Sequence, residues 1–310
     1  MINSLTLNPA IDKILYLDAI ERNVTNRVRR QSTGIGGKGT HVSMTLCQMG
    51  LESQAFGLAR GDAGRFIAAA LEDWGVKTCF VFREQGQSRT NYILIENDGS
   101  CTTVAERGVE LEASDLDELL AYMDKDIRPG DVLVLSGDAS NSPDPFVYNH
   151  IMGHLAYKNL RVFLDASGET LRKGLERGPF LIKPNQDELE FLCGFPVSGD
   201  EDVIRGIRSL DSFGVEVVAV SLGGRGSLVR FGGEYYRAVP PKVEVSNTVG
   251  CGDSFLAALL YGYETGLSHA EKLRWATAVS AAAAAFPMSV GFDMAFAAAL
   301  TEHCRVERIL

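Results

Sequence analysis

The sequence predicts a doubly wound α/β protein, a mostly parallel sheet flanked by helices, carrying a small antiparallel β-sheet that stands off as a lid. Three observations support this. Short β-rich apolar runs end at Gly, Asp, Asn or Ser and alternate with amphipathic helical stretches, the pattern of a sheet covered on both faces. Two segments, 12–32 and 87–107, break that rhythm with mixed polar and apolar residues. A chain of 310 residues suffices for one large core, or one core with a small appendage.

In chain order, the opening TLNPAID (Thr6–Asp12) leads into the first irregular segment, which contains RVRRQS and reads as exposed strand. The glycine-rich TGIGGKGTHVS follows at Thr33–Ser43. QAFGLA (54–59) is the next apolar run, and DAGRFIAAALEDWG (62–75) is helical in spacing. In the second irregular segment, Asn97-Asp98-Gly99 signals a hairpin between two exposed strands. DVLVLSG, RVFLDAS, PFLIKPN and VEVVAVSLGG are further strand candidates, and NQDELEFLCG reads as a helix after PFLIKPN. The apolar region from Trp275 to Leu300 is broken by Pro287, Gly291 and Asp293 and reads as two packed helices rather than a membrane span. The main domain is expected over 1–11, 33–86 and 108–310, and the lid over 12–32 and 87–107. In such sheets ligands bind beyond the carboxyl ends of the strands, so the polar residues closing each run are the candidate site.

Composition narrows the functional classes. A net charge of −10 argues against affinity built on neutralising nucleic-acid phosphates. The cysteines at 47, 79, 101, 193, 251 and 304 form no Cys-x-x-Cys or Cys/His cluster, which disfavours a zinc site or a disulfide framework. Reduced thiols fit a cytoplasmic protein. The amino terminus lacks the charged head and long apolar run of a signal peptide, and no membrane partner is expected.

The strongest chemical signal is NTVGCGDSFLAALLYGYETG, Asn247–Gly266. Gly250 and Gly252 bracket a small residue, and Asp253 opens a helix with apolar side chains at helical spacing. Backbone N–H groups at such a start converge on an anion, aided by the helix dipole. An aspartate there can accept a proton beside a phosphoryl group, or simply cap the helix. Cys251 between the glycines is either small filler or a thiol activated by the helix start. Asn185 and Glu188, three apart in KPNQDELE, face one side of a starting helix, and the same spacing also fits a plain cap with exposed acids. Gly34, Gly36 and Gly39 satisfy a dinucleotide fingerprint, while GGKGT sits one residue out of register from a P-loop. NRVRRQST before them is too charged for the buried strand that a nicotinamide site requires.

Taken together, TLNPAID, GGKG, KPNQDELE, SLGGRGSL and TVGCGDSF occur in the order and spacing of the ribokinase-like sugar kinases. The chain most resembles their phosphofructokinase B branch, from about Leu5 to the C-terminal helices. The resemblance implies transfer of the ATP γ-phosphoryl group to a hydroxyl of a sugar phosphate of the fructose 1-phosphate or tagatose 6-phosphate type, with a homodimer formed through the lid. It makes Asp253 the catalytic base and Gly250, Cys251 and Gly252, with Thr248 before them, the anion hole and nucleotide contact. Asn185 and Glu188 would organise Mg2+ through water, with Lys183 near the nucleotide phosphates. Ser221, Gly223, Gly224 and Gly226 would contact ATP, and the helix near Thr277–Ala284 would wall its base. On the acceptor side stand Asp12, Gly36, Gly37, Lys38 and Arg89, whose guanidinium fork suits an existing phosphate, with Arg27 as a helper.

Two positions depart from the branch pattern. His41 stands where an asparagine is usual, and Asp138-Ala139-Ser140 replaces Ser-Leu-Pro. Both border the sugar in related kinases, so Asp138 is expected to accept sugar hydroxyls, and His41 either acts as a cation or neutral donor toward the substrate or is a core or surface histidine with no substrate role. An unphosphorylated sugar or polyol is the alternative acceptor, and a non-catalytic sugar- or nucleotide-binding regulator is the alternative class.

Overall fold

The computed structural model describes residues 1–137 and 139–310; Asp138, assigned above to the acceptor side, lies outside the described residues. The strands are, first, Ile2–Thr6 (β1), Ala10–Tyr16 (β2), Arg30–Gly36 (β3), Ser53–Arg60 (β4), Lys77–Arg83 (β5), Arg89–Ile95 (β6) and Cys101–Ala105 (β7). Then come Val132–Ser136 (β8), Arg161–Asp165 (β9), Leu181–Ile182 (β10), Val217–Ser221 (β11), Ser227–Phe231 (β12), Glu234–Val239 (β13) and Arg305–Arg308 (β14). The helices are Lys38–Gln48 (α1), Gly61–Asp73 (α2), Ala113–Asp126 (α3), Val147–His154 (α4) and Gly168–Leu175 (α5). They continue with Gln186–Cys193 (α6), Asp200–Ser209 (α7), Cys251–Glu264 (α8), His269–Ala284 (α9) and Met294–Thr301 (α10).

The large sheet runs β14-β13-β12-β11-β10-β9-β8-β1-β4-β5. Pairing is parallel from β5 through β11 and antiparallel from β11 to β14. Continuous apolar runs follow from burial on both faces. In β8, Val132 and Val134 pack with α1, α8 and α9, whereas Leu133 and Leu135 join the core beneath α3 to α7. β1 is also buried throughout, and part of its polar surface is paired internally: Ser4 Oγ lies 2.7 Å from Ser43 Oγ, and Asn3 Nδ2 donates to the Val132 carbonyl at 3.2 Å, whereas Asn3 Oδ1 and Thr6 Oγ1 have no partner among the described residues. The chain winds outward from β1 in both directions, to β4 and β5 on one side and to β8 and β9 on the other. The switch point is therefore the carboxyl end of β1, where ligands of such sheets bind.

The small sheet rises there, in the order β3-β2-β6-β7. It is mixed rather than wholly antiparallel: β2 and β6 pair in parallel, Asp12 opposite Asn91, while β2–β3 and β6–β7 are antiparallel. The reason is topological. β2 leaves the carboxyl end of β1 and β6 follows the carboxyl end of β5, so both first strands head away from the main sheet and each hairpin returns beside its own partner. The strands also reach past the expected segment 12–32, starting at Ala10 and ending at Gly36. Trp275–Leu300 does form parts of two packed helices, α9 and α10, separated by the Pro287 region.

Candidate active site

A cleft of about 400 Å³ opens between the two sheets. Its floor is the glycine-bracketed start of α8. Gly250 caps that helix with φ 75, and a β-carbon there would overlap the Ser289 carbonyl oxygen, so only glycine fits. Asn247 pins the turn from behind: its amide donates to the Phe286 and Met288 carbonyls at 2.8 and 3.1 Å, and its oxygen accepts from Val249 N at 3.0 Å. Gly250→Ala should cost about 1–3 kcal/mol of stability through the forced conformation and lower turnover with it, as read by denaturant melts and kcat. Asp253, in the first turn of α8, is buried and faces the cleft.

α1 supplies the second wall. His41 is 3% exposed and has both ring nitrogens engaged, Nδ1 at 2.7 Å from Asp253 Oδ2 and Nε2 at 2.7 Å from the Ile35 carbonyl. Asp12 of β2 comes within 3.9 Å of Nε2 and accepts from Asn91 Nδ2 at 2.9 Å. Its carboxylate fills the space where a β-carbon of residue 36 would stand, which is why the glycine run is needed at Gly36. Burial raises the Asp12 pKa, an effect that His41 and the Asn91 bond oppose. Burial likewise disfavours charge on His41, but the bond to Asp253, its charge and that of Asp12 outweigh it and push the imidazole up to about 9.

The third group lies at the ends of β9 and β10. Asp165, fully buried, holds Lys38 Nζ at 3.1 Å and Lys183 Nζ at 3.3 Å. Burial would raise its pKa, but Lys183 and then Lys38 override this and hold the carboxyl below its ordinary value. Burial opposes the Lys38 charge as well, and Asp165 followed by Glu188 restores it and raises its pKa. Lys183 Nζ would lie 3.3 Å from a β-carbon at Gly252, so its ammonium sits over the start of α8. Asn185 and Glu188 form a reciprocal cap on α6: Asn185 Oδ1 accepts from Glu188 N at 2.8 Å and Glu188 Oε2 from Asn185 N at 2.9 Å. Glu188 Oε1 lies 4.0 Å from Lys38.

Most of the residues expected from sequence thus meet in one cleft: Asp12, Gly37, Lys38, His41, Arg89, Lys183, Asn185, Glu188, Ser221, Gly250, Gly252 and Asp253 all line it. Arg89 is nearly buried, and its guanidinium donates to the Asn8 carbonyl at 3.0 Å and the Glu106 carbonyl at 3.3 Å. Lys38, in the cleft lining, pairs with Asp165 and approaches Glu188. For His41 the observation favours the reading without a direct substrate role, because Asp253 and the Ile35 carbonyl engage both ring nitrogens. Gly223, Gly224 and Gly226 sit in an exposed turn outside the cleft lining, Thr248 is exposed beside it, and Arg27 is exposed on the lid. Thr277 and the alanines after it are packed, Thr277 Oγ1 donating within α9 and Ser280 Oγ to the Cys251 carbonyl. Cys251 is not activated by its helix start: burial, with Asp253 beside it, pushes the thiol up to about 12. The residues missed were Asp165 and Asn91. Asp165 closes RVFLDAS, so the rule that makes strand-ending polar residues suspects would have found it; Asn91 gave no signal of its own.

Among the described residues no three His, Cys, Asp or Glu side chains are grouped to hold a metal ion. Glu188, partly exposed to the cleft with Asn185 tied up as a cap, is a donor set that fits a cation arriving with its own waters and phosphate oxygens. A second cavity, about 330 Å³ near Asn159 and Phe180, is lined by one ionisable side chain, Arg177.

The crystal structure of phosphofructokinase-2 from Escherichia coli in complex with substrates and products superposes with a TM-score of 0.91, at 25% identity, over 97% of this chain and 98% of that one. The fold is that of the ribokinase-like kinases. Residues 5–286 match the pfkB family carbohydrate kinase description, and the chain belongs to that family of carbohydrate kinases. A tagatose-6-phosphate kinase of Staphylococcus epidermidis is 32% identical over 272 residues, 87% of this chain and 86% of its own length. A 1-phosphofructokinase of Escherichia coli K12 is 32% identical over 281 residues, 90% of this chain and 89% of its own.

Proposed function

We propose that the protein transfers the γ-phosphoryl group of ATP to a hydroxyl of a small sugar phosphate, with Asp253 as the general base. The observation that carries this reading is the placement of Asp253: a buried carboxylate at the glycine-rich start of α8, facing a cleft that also presents Lys183, Lys38 and Arg89. ATP supplies the phosphoryl group, and Mg2+ travelling with it neutralises phosphate charge. Asp253 takes the acceptor proton as the hydroxyl attacks. The N–H groups at residues 250 to 252 donate to the oxygens on which charge gathers. Lys183 and Lys38, aligned by Asp165, add positive charge on the nucleotide side, and Glu188 would hold the waters of the cation. Asp12 would accept sugar hydroxyls, and Ile93 and Thr103 of the small sheet roof the cleft and limit water.

A phosphorylated acceptor is supported by Arg89 in the cleft wall and by the names of the two relatives, a tagatose-6-phosphate kinase and a 1-phosphofructokinase. Homodimerisation through the lid is supported by the wholly exposed β7 and by Val24, Val28, Tyr92 and Val104, each at least 40% exposed on that sheet or its loop. A cytoplasmic setting is supported by six cysteines free of disulfides. No helix among the described residues is long and apolar enough to cross a membrane. An ADP-release assay over fructose 1-phosphate, tagatose 6-phosphate, fructose 6-phosphate and the parent sugars is expected to show its highest kcat/KM with a phosphorylated ketose. Preference for an unphosphorylated sugar would overturn the acceptor assignment, and silence with ATP binding intact would overturn the kinase assignment.

A further inference from the structure

The function proposed above uses Asp253 but leaves unexplained why a histidine, buried and denied to the substrate, touches it. The geometry restricts the state of that ring. A carbonyl oxygen only accepts, so the 2.7 Å approach of Nε2 to Ile35 O requires a proton on Nε2. The 2.7 Å approach of Nδ1 to the Asp253 carboxylate then requires a second proton between them. A neutral ring beside an ionised Asp253 must turn a lone pair toward either the carbonyl or the carboxylate, and so loses one bond whichever tautomer it adopts. The charged ring makes both.

We propose that His41 is a positioning residue for phosphoryl transfer: as an imidazolium anchored on the Ile35 carbonyl, it fixes Asp253 Oδ2 and leaves Oδ1 to receive the acceptor proton. The inference rests on the assignment of Asp253 as base. In the step itself the acceptor O–H bond breaks, the oxygen–phosphorus bond forms as the bond to ADP breaks, and the proton lands on Oδ1, from which water removes it. His41 neither gains nor loses a proton.

The surroundings support a permanent charge. Among the described residues two ionisable side chains face the ring, Asp253 from α8 and Asp12 from β2. β1, β8 and the 286–291 loop carry no ionisable side chain, β3 contributes the Ile35 carbonyl, Lys38 on the same helix is committed to Asp165, and Arg60 of β4 to Asp115. A β-carbon at Gly250 would stand 3.5 Å from Nδ1, so the ring is wedged against the start of α8 and has little room to turn. The pKa, raised from 6.5 to about 9, has the matching sign. The stabilisation by charged His41 is complete below 6.5 and is lost as pH rises through about 9.

The test combines kinetics with a direct reading of the ring in the full-length protein. His41→Asn keeps a donor but no charge. With ATP and the best acceptor from the panel, the parent enzyme is expected to lose kcat as pH passes about 9, and the variant to lack that alkaline fall. At pH near 7.5 the variant should show kcat lowered about 10- to 100-fold by a looser base, with KM for ATP little changed. In parent protein labelled with 15N-histidine, the His41 resonances, identified by their absence from His41→Asn, should show both nitrogens protonated near neutrality. Should the variant not fold, selective assignment from the pH titration of the parent protein still decides. A single protonated ring nitrogen near neutrality, or superimposable pH profiles, would overturn the proposal. An active Asp253→Asn enzyme would instead overturn the base assignment, which the ring's protonation does not report.

Discussion

Asp253→Asn is expected to lower kcat by about 10² to 10⁴-fold, the range that follows removal of a positioned general base. The asparagine is nearly isosteric, so the turn at Gly250, capped by glycine and braced by Asn247, should persist. Nucleotide affinity should therefore stay close to that of the parent and the loss should appear in kcat, while the melting temperature should fall, because the buried His41 imidazolium loses its nearest counter-charge. The same variant withdraws the larger of the two carboxylate influences on His41, so the histidine titration should fall from about 9 toward its ordinary 6.5. Turnover near the parental rate would remove Asp253 from the chemistry, whatever the histidine does.

The largest effect on stability is expected at Asp165. Asp165→Asn leaves Lys183, nearly buried, and Lys38 without their shared counter-charge, and breaking a buried ion pair from one side costs about 3–5 kcal/mol. Activity should fall too, because both ammonium groups lose the anchor that directs them into the cleft. The parent protein carries a related signature in acid. Its depressed carboxyl stabilises the fold fully above the ordinary value of 3.8, and this contribution is lost as pH drops through the lower folded value. Urea unfolding of parent and variant at neutral pH measures the difference. A change below about 1 kcal/mol, the scale of a surface pair, would show that the lysines need no such anchor.

The alternation of apolar runs and helical stretches made the main sheet legible, because burial on both faces writes itself into the composition of each strand. The start of α8 was equally legible, since Gly250, Gly252 and Asp253 are adjacent and their chemistry is local. What could not be read was pairing across distance. The parallel match of β2 with β6 depends on where β1 and β5 end, not on the residues of either hairpin. The bond between His41 and Asp253 spans 212 positions, so the sequence marked His41 as unusual without naming its partner. Glycines at 34 and 36 matched a dinucleotide fingerprint, yet they end β3, because the strand must pass close to Ser289 and the Asp12 carboxylate. Asn185 and Glu188 stand between the two cases: their spacing predicted a cap, and that cap is also what aims Glu188 into the cleft.

The ion balance of the cleft also bears on how fast it fills. Among the described residues Lys38, Lys183, Arg89 and the His41 imidazolium are matched by Asp12, Glu188, Asp253 and the buried Asp165 beneath the lysines, so the mouth is close to neutral while the whole chain carries a net charge of −10. A phosphorylated ligand therefore approaches against a weak long-range repulsion and is held only once it touches the donors. Encounter rates should rise with added salt until the screening length, about 8 Å at physiological ionic strength, shrinks to the size of the cleft itself. Selectivity among anions then rests on contact geometry and the rate of escape rather than on electrostatic steering.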